Sequence, residues 1–392
     1  MGRFWPAAAF ALMCLVVPGL GRAEIIVVNS TIDAPDASPN DGVCRTTFRR
    51  CTLRAAIQAS YLFENPTIIL PAGTYTLTLP GAGEDRGATG DLDLRTVTIV
   101  GAGAKTTIVD GGGLDRVFDL VPGAQVDLYG LTIRNGSADN GGGIRNGFDG
   151  ELTLTDVEVA GNAATRAGGG IYNCAFSIGP PVQLCQFHLV NVTVAENSAA
   201  GAGGGIAAIG PVFTLHTVTI SGNSAAVGGA LYIGPSASLD ATIASATIVD
   251  NTANEGSGIF LDLNTSATAV NTMVAANLGS DCGGPGTLTS SGHNFDSDAT
   301  CNLVHPTDLP SAPPLVGPLA DNGGALRTHA LLAASPAIDA GENGTCARRD
   351  QRRRPRPVDG DLDGTATCDV GAYEYEPASS PSGSENSEKA GA

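Results

Sequence analysis

GNSAAVGGAL, at residues 222–231, is the stretch that decides the fold. It places one asparagine and three glycines among mostly small residues and ends in an aliphatic side chain. Its first two residues end a phrase that recurs along the chain: an aliphatic residue, two further residues and an asparagine. The phrase is found at 159–162, 194–197, 220–223, 248–251 and 274–277, with Asn135 as a looser first member. Successive asparagines are 27, 35, 26, 28 and 26 residues apart. A period in the twenties is typical of one supersecondary unit stacked on copies of itself.

A second phrase follows each asparagine except the last. It is a glycine-rich turn ending in an aliphatic residue, at 141–144, 168–171, 203–206, 228–231 and 256–259. Runs of alternating polarity, such as LTLTDVEV (152–159) and FTLHTVTI (213–220), lie between the phrases and predict half-buried strands. No amphipathic helix fits there, leucine-rich repeats need a different spacing, and propeller blades are longer.

Stacked coils explain why the phrases contain so little side chain. Coils about 4.8 Å apart bring each corner against the same corner above and below. Glycine adopts positive φ there without a Cβ clash, and asparagine tolerates the left-handed region and can form a stacked amide ladder. We therefore predict an all-β fold: a single-stranded right-handed parallel β-helix, a pectin lyase-like solenoid, with a short N-terminal capping helix.

Composition and charge restrict the function. The 392 residues include 53 glycines and only 5% aromatics, which favours a core of many small aliphatic layers. The formal net charge is −18. Such a surface repels polyphosphate, so we expect no nucleic-acid partner. An acidic surface instead favours solubility and the binding of divalent cations.

The first 23 residues have the pattern of a secretory signal peptide. Arg3 supplies the positive region, residues 7–17 the apolar region, and Gly21–Ala23 a small-residue cleavage site. The apolar stretch is shorter than the roughly 20 residues of a spanning helix, which disfavours a retained anchor. Removing 1–23 leaves 19 basic residues against 39 acidic ones. We expect an exported protein, extracellular, on the cell surface or periplasmic, with no membrane span after cleavage, and monomeric.

Eight cysteines remain after cleavage, and an even number in an exported chain indicates disulfides. Since a solenoid makes contacts between near neighbours, we predict sequential pairing. The predicted pairs are Cys44–Cys51, Cys174–Cys185, Cys282–Cys301 and Cys346–Cys368. Metal binding is the alternative for a cysteine cluster, but the chain has no Cys-x-x-Cys spacing to support it.

Three segments resemble known families of exported proteins. TISGNSAAVGGALY (219–232) is similar to the repeats of polymorphic membrane proteins, and DGVCRTTFRRCTLRAAIQAS (41–60) resembles the CSLREA domain. DNGGALRTHALLAASPAIDAG (321–341), DQRRRPRP (350–357) and CDVGAYEY (368–375) together resemble the choice-of-anchor Q domain. These resemblances imply an exported β-helix with a terminal segment at each end. The domains predicted are the signal peptide at 1–23, the N-terminal cap and first strands at 24–80, the β-helix repeats at 81–310, the C-terminal cap at 311–376 and a disordered tail at 377–392.

The function predicted is a non-catalytic secreted or cell-surface module that binds a glycan or another surface ligand, in the manner of an adhesin. The alternative is a polysaccharide lyase or glycoside hydrolase of the same fold, which needs a Lys or Arg base or paired carboxylates. The ordered mature chain has one lysine, Lys105. We predict no catalytic residue and no cofactor other than calcium. His188 and His216 lie at similar positions of successive coils and are interpreted as surface or semi-buried strand residues, with a stacked pair that binds polymer or metal as the alternative. Asp156, Glu158 and Glu196, near the strand ends of adjacent coils, are interpreted as a solvated acidic face.

One metal site is predicted, in DGDLDG at 359–364. Asp359, Asp361 and Asp363 stand at alternate positions and Gly364 turns the chain, which is the opening of a calcium loop. Position 12 of such a loop would be Val370, so a further carboxylate has to come from elsewhere. An acidic surface turn without a metal is the alternative.

Overall fold

The computed structural model describes residues 24–173, 185–210, 212–235 and 240–377. Its single helix within these ranges is α1 (Leu53–Ser60). The first twelve strands are β1 (Ile25–Val27), β2 (Thr67–Leu70), β3 (Gly73–Thr76), β4 (Leu92–Leu94), β5 (Val97–Gly101), β6 (Thr107–Asp110), β7 (Phe118–Leu120), β8 (Gln125–Tyr129), β9 (Thr132–Arg134), β10 (Ser137–Asn140), β11 (Ile144–Asn146) and β12 (Glu151–Ala160).

The middle coils contain the longest strands. They are built from β13 (Ala163–Ala167), β14 (Ile171–Asn173), β15 (Gln186–Ala195), β16 (Ser198–Ala199), β17 (Ile206–Ala208), β18 (Val212–Ser221), β19 (Leu231–Ile233), β20 (Asp240–Ala244), β21 (Thr247–Val249), β22 (Ile259–Leu261), β23 (Ser266–Val270) and β24 (Met273–Ala275). The remaining strands are β25 (Cys282–Gly283), β26 (Thr287–Ser290), β27 (Phe295–Asp296), β28 (Leu309–Pro310), β29 (Val316–Ala320) and β30 (Thr328–Leu331).

These strands form sheets that run along the molecule, with consecutive coils paired in parallel. β12 pairs with β15 and β15 with β18 over ten-residue strands, so Leu152, Phe187 and Phe213 occupy equivalent positions in three successive coils. A second sheet has the order β4-β7-β11-β14-β17-β19-β22-β25. The exception among the named pairs is the antiparallel β29–β30 ribbon. Parallel connections within a sheet are right-handed, and the predicted parallel β-helix is confirmed.

The predicted asparagine ladder is present and buried. The side-chain amide of each member donates to the Oδ1 of the next at 3.0 Å, through Asn162, Asn197, Asn223, Asn251 and Asn277. The last amide donates to Asp281 at 2.8 Å. Two details differ from the prediction: Asn135 lies one position early, and left-handed backbone belongs to the residue before each ladder asparagine, such as Gly222 (φ 65°). The asparagine is therefore free to point inward.

Helix α1 covers the first coils, as predicted. The Oγ1 of Thr52 accepts a hydrogen bond from the backbone of Ala55 and caps the helix. Leu53, Ala56 and Ile57 are buried in the core. The equally buried Arg54 forms an ion pair with Asp33, Nε to Oδ1 at 2.6 Å. Its guanidinium also donates to three backbone carbonyls, those of Gly87, Gly90 and Asp91. One helix residue thus holds the 84–91 loop in place.

Residues 321–376 pack along the side of the solenoid. Gln351 donates to the carbonyl of Val192, and the backbone of Gly371 donates to the carbonyl of Asn271. Val192 lies in β15, and Asn271 lies between β23 and β24, several coils further along the solenoid. A second, smaller core forms where this segment meets β21, β24 and β27, and includes Val249, Met273, Phe295, Leu331 and Val370. The C-terminal segment therefore contacts several consecutive coils and joins them.

Candidate functional site

One side chain in each short strand of the eight-stranded sheet points away from the core. In β4 the flanking Leu92 and Leu94 are buried in the core, so Asp93 between them faces outward. The register aligns Asp93 with Asp119, and further coils continue the alignment. We name these aligned residues the outer row: Asp93, Asp119, Arg145, Tyr172, Ala207, Tyr232 and Phe260. With coils about 4.8 Å apart, the row is roughly 29 Å long.

The glycine-rich turns set this row. In the turn before Tyr172, Gly168 has a φ of +66°, and a Cβ added there would lie 2.5 Å from the carbonyl oxygen of Ile171. Only glycine fits such a turn without displacing backbone. The turn delivers Ile171 into the core, and the period of two then places Tyr172 outside. The same phrase therefore repeats an outward position once per coil.

The acidic end of the row is a cluster of three buried carboxylates, formed by Asp91, Asp93 and Asp119. One oxygen of each lies within 4.8 Å of the others. Asp91 accepts from Nε of Arg116 at 2.9 Å, and Asp119 accepts from both Nε and Nη2 of Arg145. The Oδ2 of Asp93 accepts from the backbone of Gly87 at 2.6 Å, whereas its Oδ1 has no hydrogen-bond partner.

Burial raises the pKa of these carboxyl groups. The pKa of Asp91 rises to about 8, through burial first and then through the charges of Asp93, Asp115 and Asp119. The pKa of Asp93 rises to about 7, again chiefly through burial, against the lowering effect of the Gly87 hydrogen bond. Burial also raises the pKa of Asp119, although Arg145 opposes it. The protein partners of the cluster therefore do not fully offset the effects of burial and of the neighbouring carboxylates on these pKa values.

A cavity of about 380 Å³ opens beside this cluster. Its lining joins two arginines, Arg95 and Arg145, to the carboxylates of Asp85 and Asp119 and to the ring of Phe148. The guanidinium of Arg95 also lies 4.5 Å above the ring of Tyr61. Cationic, anionic and aromatic groups thus converge on one opening at the end of the outer row.

The other half of the row is aromatic. The rings of Tyr232 and Phe260 stack with centroids 5.7 Å apart and an interplanar angle of 15°. The hydroxyl of Tyr232 donates to Asp262 at 2.6 Å, which fixes the ring edge. Tyr172 is half-buried in the same row, two coils before Tyr232. These three rings, which we name the aromatic platform, lie in one row next to polar groups.

The predicted calcium loop is rearranged. Asp359 and Asp361 lie together, but the third carboxylate with them is that of Asp339, and Asp363 lies outside the cluster. Asp339 also accepts from the backbone of Asp361 at 2.6 Å. The Oδ1 atoms of Asp339 and Asp359 are both buried without a hydrogen-bond partner. Asp363 instead accepts from the backbone of Thr365, closing a local turn.

Two of the predicted disulfides are formed, Cys44–Cys51 and Cys282–Cys301. Cys185 is also disulfide-bonded, while its predicted partner Cys174 lies outside the described residues. Cys346 and Cys368 differ from the prediction, because both are free thiols. Their side chains are hydrogen-bonded to each other, which lowers the pKa of Cys346 and raises that of Cys368. The Cys346–Cys368 disulfide stays a prediction, and forming it requires a two-electron oxidant.

The acidic strand residues have partners that the sequence did not indicate. Glu158 and Glu196 both bind Arg327 of the C-terminal segment, at 2.7 and 2.8 Å. Asp156 pairs with Arg353. These ion pairs hold the C-terminal segment to the solenoid, which corrects the interpretation of the three carboxylates as a solvated face.

The two strand histidines do not stack. The register places His188 opposite Thr214, and His216 opposite Val190, so the rings are offset by two residues. Lys105 forms an exposed ion pair with Asp321 at 2.6 Å. None of these three residues borders the outer row or its cavity.

Sequence reasoning missed the outer row, although a signal for it exists. The outward residue directly follows the first core residue of each short strand, as in Ile144-Arg145, Ile171-Tyr172, Leu231-Tyr232 and Ile259-Phe260. Aligning the repeats on their glycines puts these residues in one column. Asp91 and Asp93 precede the recognisable repeats, so only the three-dimensional register joins them to that column.

Comparisons with known proteins identify no family. No family model matches the chain, and no curated protein matches it. The resemblances to the CSLREA domain, the choice-of-anchor Q domain and the polymorphic membrane protein repeats therefore remain predictions. A crystal structure of the pectate lyase Pel9A aligns with 91% of this chain and 98% of that chain, at 14% identity and a TM-score of 0.44. A similarity this low carries no functional conclusion, and the strand register defines the β-helix independently.

None of the described residues forms a helix long and apolar enough to cross a membrane.

Proposed function

We propose that this chain is an exported, non-catalytic β-helix protein that binds an acidic polysaccharide along the outer row. The observation that carries the proposal is the alignment of Arg145 with the aromatic residues of the row on a single sheet face. Sugar rings present apolar faces that pack on aromatic side chains, and guanidinium groups donate charge-assisted hydrogen bonds to carboxylates. Nε and Nη2 of Arg145 donate to Asp119, so Nη1 is the donor that is left for a ligand. The row offers both an arginine donor and aromatic rings in one line.

The two chemically different ends of the outer row suggest how a bound polysaccharide lies on it. Tyr172, Tyr232 and Phe260 supply the stacking surface, and the cavity with Arg95 and Arg145 lies at one end. An acidic sugar residue suits this end, since Arg95 is exposed and has no carboxylate partner among the described ion pairs. The polymer's remaining residues lie over the rings.

The arginines favour binding over base catalysis. A general base has to give up its proton, so its pKa must fall toward the working pH. Burial lowers the pKa of Arg145, but the hydrogen bond and charge of Asp119 more than offset it, and the net pKa is raised. Arg145 is thus a fixed cation.

Isothermal titration calorimetry with polygalacturonate, and with its fully methyl-esterified form as the uncharged control, tests this proposal. We expect binding of the charged polymer alone. Arg95→Gln should weaken it about tenfold, because a hydrogen bond to a charged group contributes about 1.5–3 kcal/mol. Arg348→Gln, the same change at an exposed arginine of the C-terminal segment, should bind like the wild type. Equal affinities of the two arginine variants would contradict the proposed cavity.

The aromatic platform needs its own pair of variants. Tyr172→Leu removes a ring from the row but keeps an apolar side chain, and it should weaken binding. Tyr129→Leu makes the same change on a strand of the other sheet, where Tyr129 is half-buried on the outer side of β8. If both variants weaken binding equally, the platform is not the binding surface.

A second candidate is a polysaccharide lyase, because three carboxylates and two arginines do meet at one end of the row. The test is incubation of the same polymers with the protein, followed by absorbance of the unsaturated product and a reducing-end assay. Turnover that is lost in Arg145→Gln would replace the non-catalytic proposal with an enzymatic one.

A further inference from the structure

The carboxylate cluster of Asp91, Asp93 and Asp119 has the dimensions of a cation site. One oxygen from each residue lies within 4.8 Å of the other two. Calcium binds oxygen at 2.3–2.6 Å, so two ligands on opposite sides of one ion are separated by up to about 5 Å. The three side chains are 5%, 1% and 5% exposed, respectively. They are held by adjacent coils and do not need to gather from solvent.

An unpartnered atom points to a ligand in this cluster. The Oδ1 of Asp93 is buried and accepts no hydrogen bond, although the side chain as a whole is almost fully enclosed. An unsatisfied buried polar atom costs about 1–3 kcal/mol, and more when charged. A cation at this position satisfies it, whereas the nearby donors are already committed: Arg116 to Asp91 and Arg145 to Asp119.

The comparison with a similar cluster supports this reading. Asp281, Asp296 and Asp298 also come within 4.8 Å of one another. There, both oxygens of Asp281 accept hydrogen bonds, from Asn277 and Ser297, and both oxygens of Asp296 accept backbone hydrogen bonds. That cluster is a completed network of protein donors. The Asp91 cluster lacks one donor, at Asp93.

The charge around the cluster is also negative. Three carboxylates face two guanidinium groups, of Arg116 and Arg145, and the carboxylates of Glu84, Asp85 and Asp115 add to the negative field. Buried carboxylates in such a field either take up protons or bind a cation.

We propose that Asp91, Asp93 and Asp119 bind one Ca²⁺ ion, with water molecules as the remaining ligands. The ion fastens the first two coils to each other, because Asp91 and Asp93 belong to one coil and Asp119 to the next. The proposed site shares Asp119 with the lining of the saccharide cavity, but it does not require a bound saccharide, and it is distinct from the Asp339–Asp359–Asp361 cluster.

Calcium titration by calorimetry, on protein treated with EDTA and dialysed, tests the site. The measurement is made in the Asp361→Asn background, so that calcium bound by the C-terminal cluster does not contribute. We expect one Ca²⁺ per chain, and at least about a tenfold loss of affinity when Asp93→Asn is added. Asp127→Asn, a half-buried aspartate on β8 outside the cluster, is the matched control and should leave the affinity unchanged.

Melting temperatures separate loss of the ion from loss of the fold. In EDTA, Asp93→Asn should melt at or above the temperature of its parent, because it removes one of three crowded negative charges. In millimolar calcium the order should reverse, since only the parent gains from the ion. Absence of calcium binding in the Asp361→Asn background, or equal binding with and without Asp93→Asn, overturns the proposal. Neither result bears on polygalacturonate binding, which is measured without calcium.

Discussion

The Nε2 atom of His329 lies 2.8 Å from the Oγ of Ser221, although 108 residues separate the two in the chain. Both side chains are buried, at 1% and 2% exposure, so no substrate reaches them. The Nδ1 of His329 contacts the carbonyl of Gly317 at 2.7 Å, which makes Nδ1 the donor and Nε2 the acceptor for Ser221. A neutral imidazole therefore joins the β29–β30 ribbon to β18.

This histidine predicts a pH-dependent loss of stability. Burial lowers the pKa of His329 below 6.5, against opposing effects of the Gly317 carbonyl and the facing charge of Asp250. The folded protein then binds fewer protons than the unfolded chain as the pH falls through about 6.5, so stability decreases over that window and is fully present above it. His329→Gln has no such titration. Its deficit relative to wild type should be about 1–3 kcal/mol at pH 7.5 and smaller at pH 5.

Urea unfolding of the two proteins at both pH values checks this. The difference between wild type and variant is the relevant quantity, because other buried groups titrate equally in both proteins. A deficit of the same size at pH 5 and pH 7.5 would show that His329 is not the group responsible.

The asparagine ladder predicts a large effect from one amide. Asn223 donates to Asn251 and to the carbonyl of Val194, and it accepts from both the backbone and the side chain of Asn197. Asn223→Ala leaves those buried groups unsatisfied and should cost roughly 2–4 kcal/mol. Asn254→Ala, at an exposed site outside the ladder in the next coil, should cost much less. Thermal or urea unfolding measures both, and equal costs would deny the ladder a stabilising role.

The adjacent thiols predict a further disulfide. Cys346 and Cys368 are hydrogen-bonded, and a thiol of lowered pKa beside another thiol oxidises readily. In protein secreted through an oxidising compartment, we expect thiol titration of the denatured, unreduced chain to find no free thiol. Two thiols per chain, lost in the Cys346→Ser/Cys368→Ser variant, would show that the pair stays reduced after export.

Removal of the signal peptide also removes Trp5, so the same protein should show tyrosine emission alone.

The cluster in the C-terminal segment predicts that calcium raises the melting temperature of the protein. Asp339, Asp359 and Asp361 bring two unpartnered oxygens together, and bound Ca²⁺ relieves their repulsion. In an Asp93→Asn background, calcium should raise the melting temperature relative to EDTA, and Asp361→Asn should abolish the shift. Asp363→Asn should preserve it, because Asp363 lies outside the cluster. Identical melting curves of the Asp93→Asn parent in calcium and EDTA would exclude this site.

The repeating part of the fold was predictable because its determinants are local. The spacing of Asn162, Asn197 and Asn223 and the glycine turns after them require stacked coils, whatever the rest of the chain does. The predicted capping helix has local determinants too: Thr52 caps α1 and apolar residues follow it, and capping and helix periodicity act within one or two turns.

The candidate sites depend on contacts between distant segments, which no local pattern encodes. Asp339 reaches Asp359 and Asp361 only after the chain returns on itself, and so it took the place predicted for Asp363. Glu158 and Glu196 became anchors once Arg327 was folded against them. The sequence by itself determined the period, the strands and the amide ladder. Tertiary structure alone decided which charged side chains meet, because long-range register and the docking of the C-terminal segment set those distances.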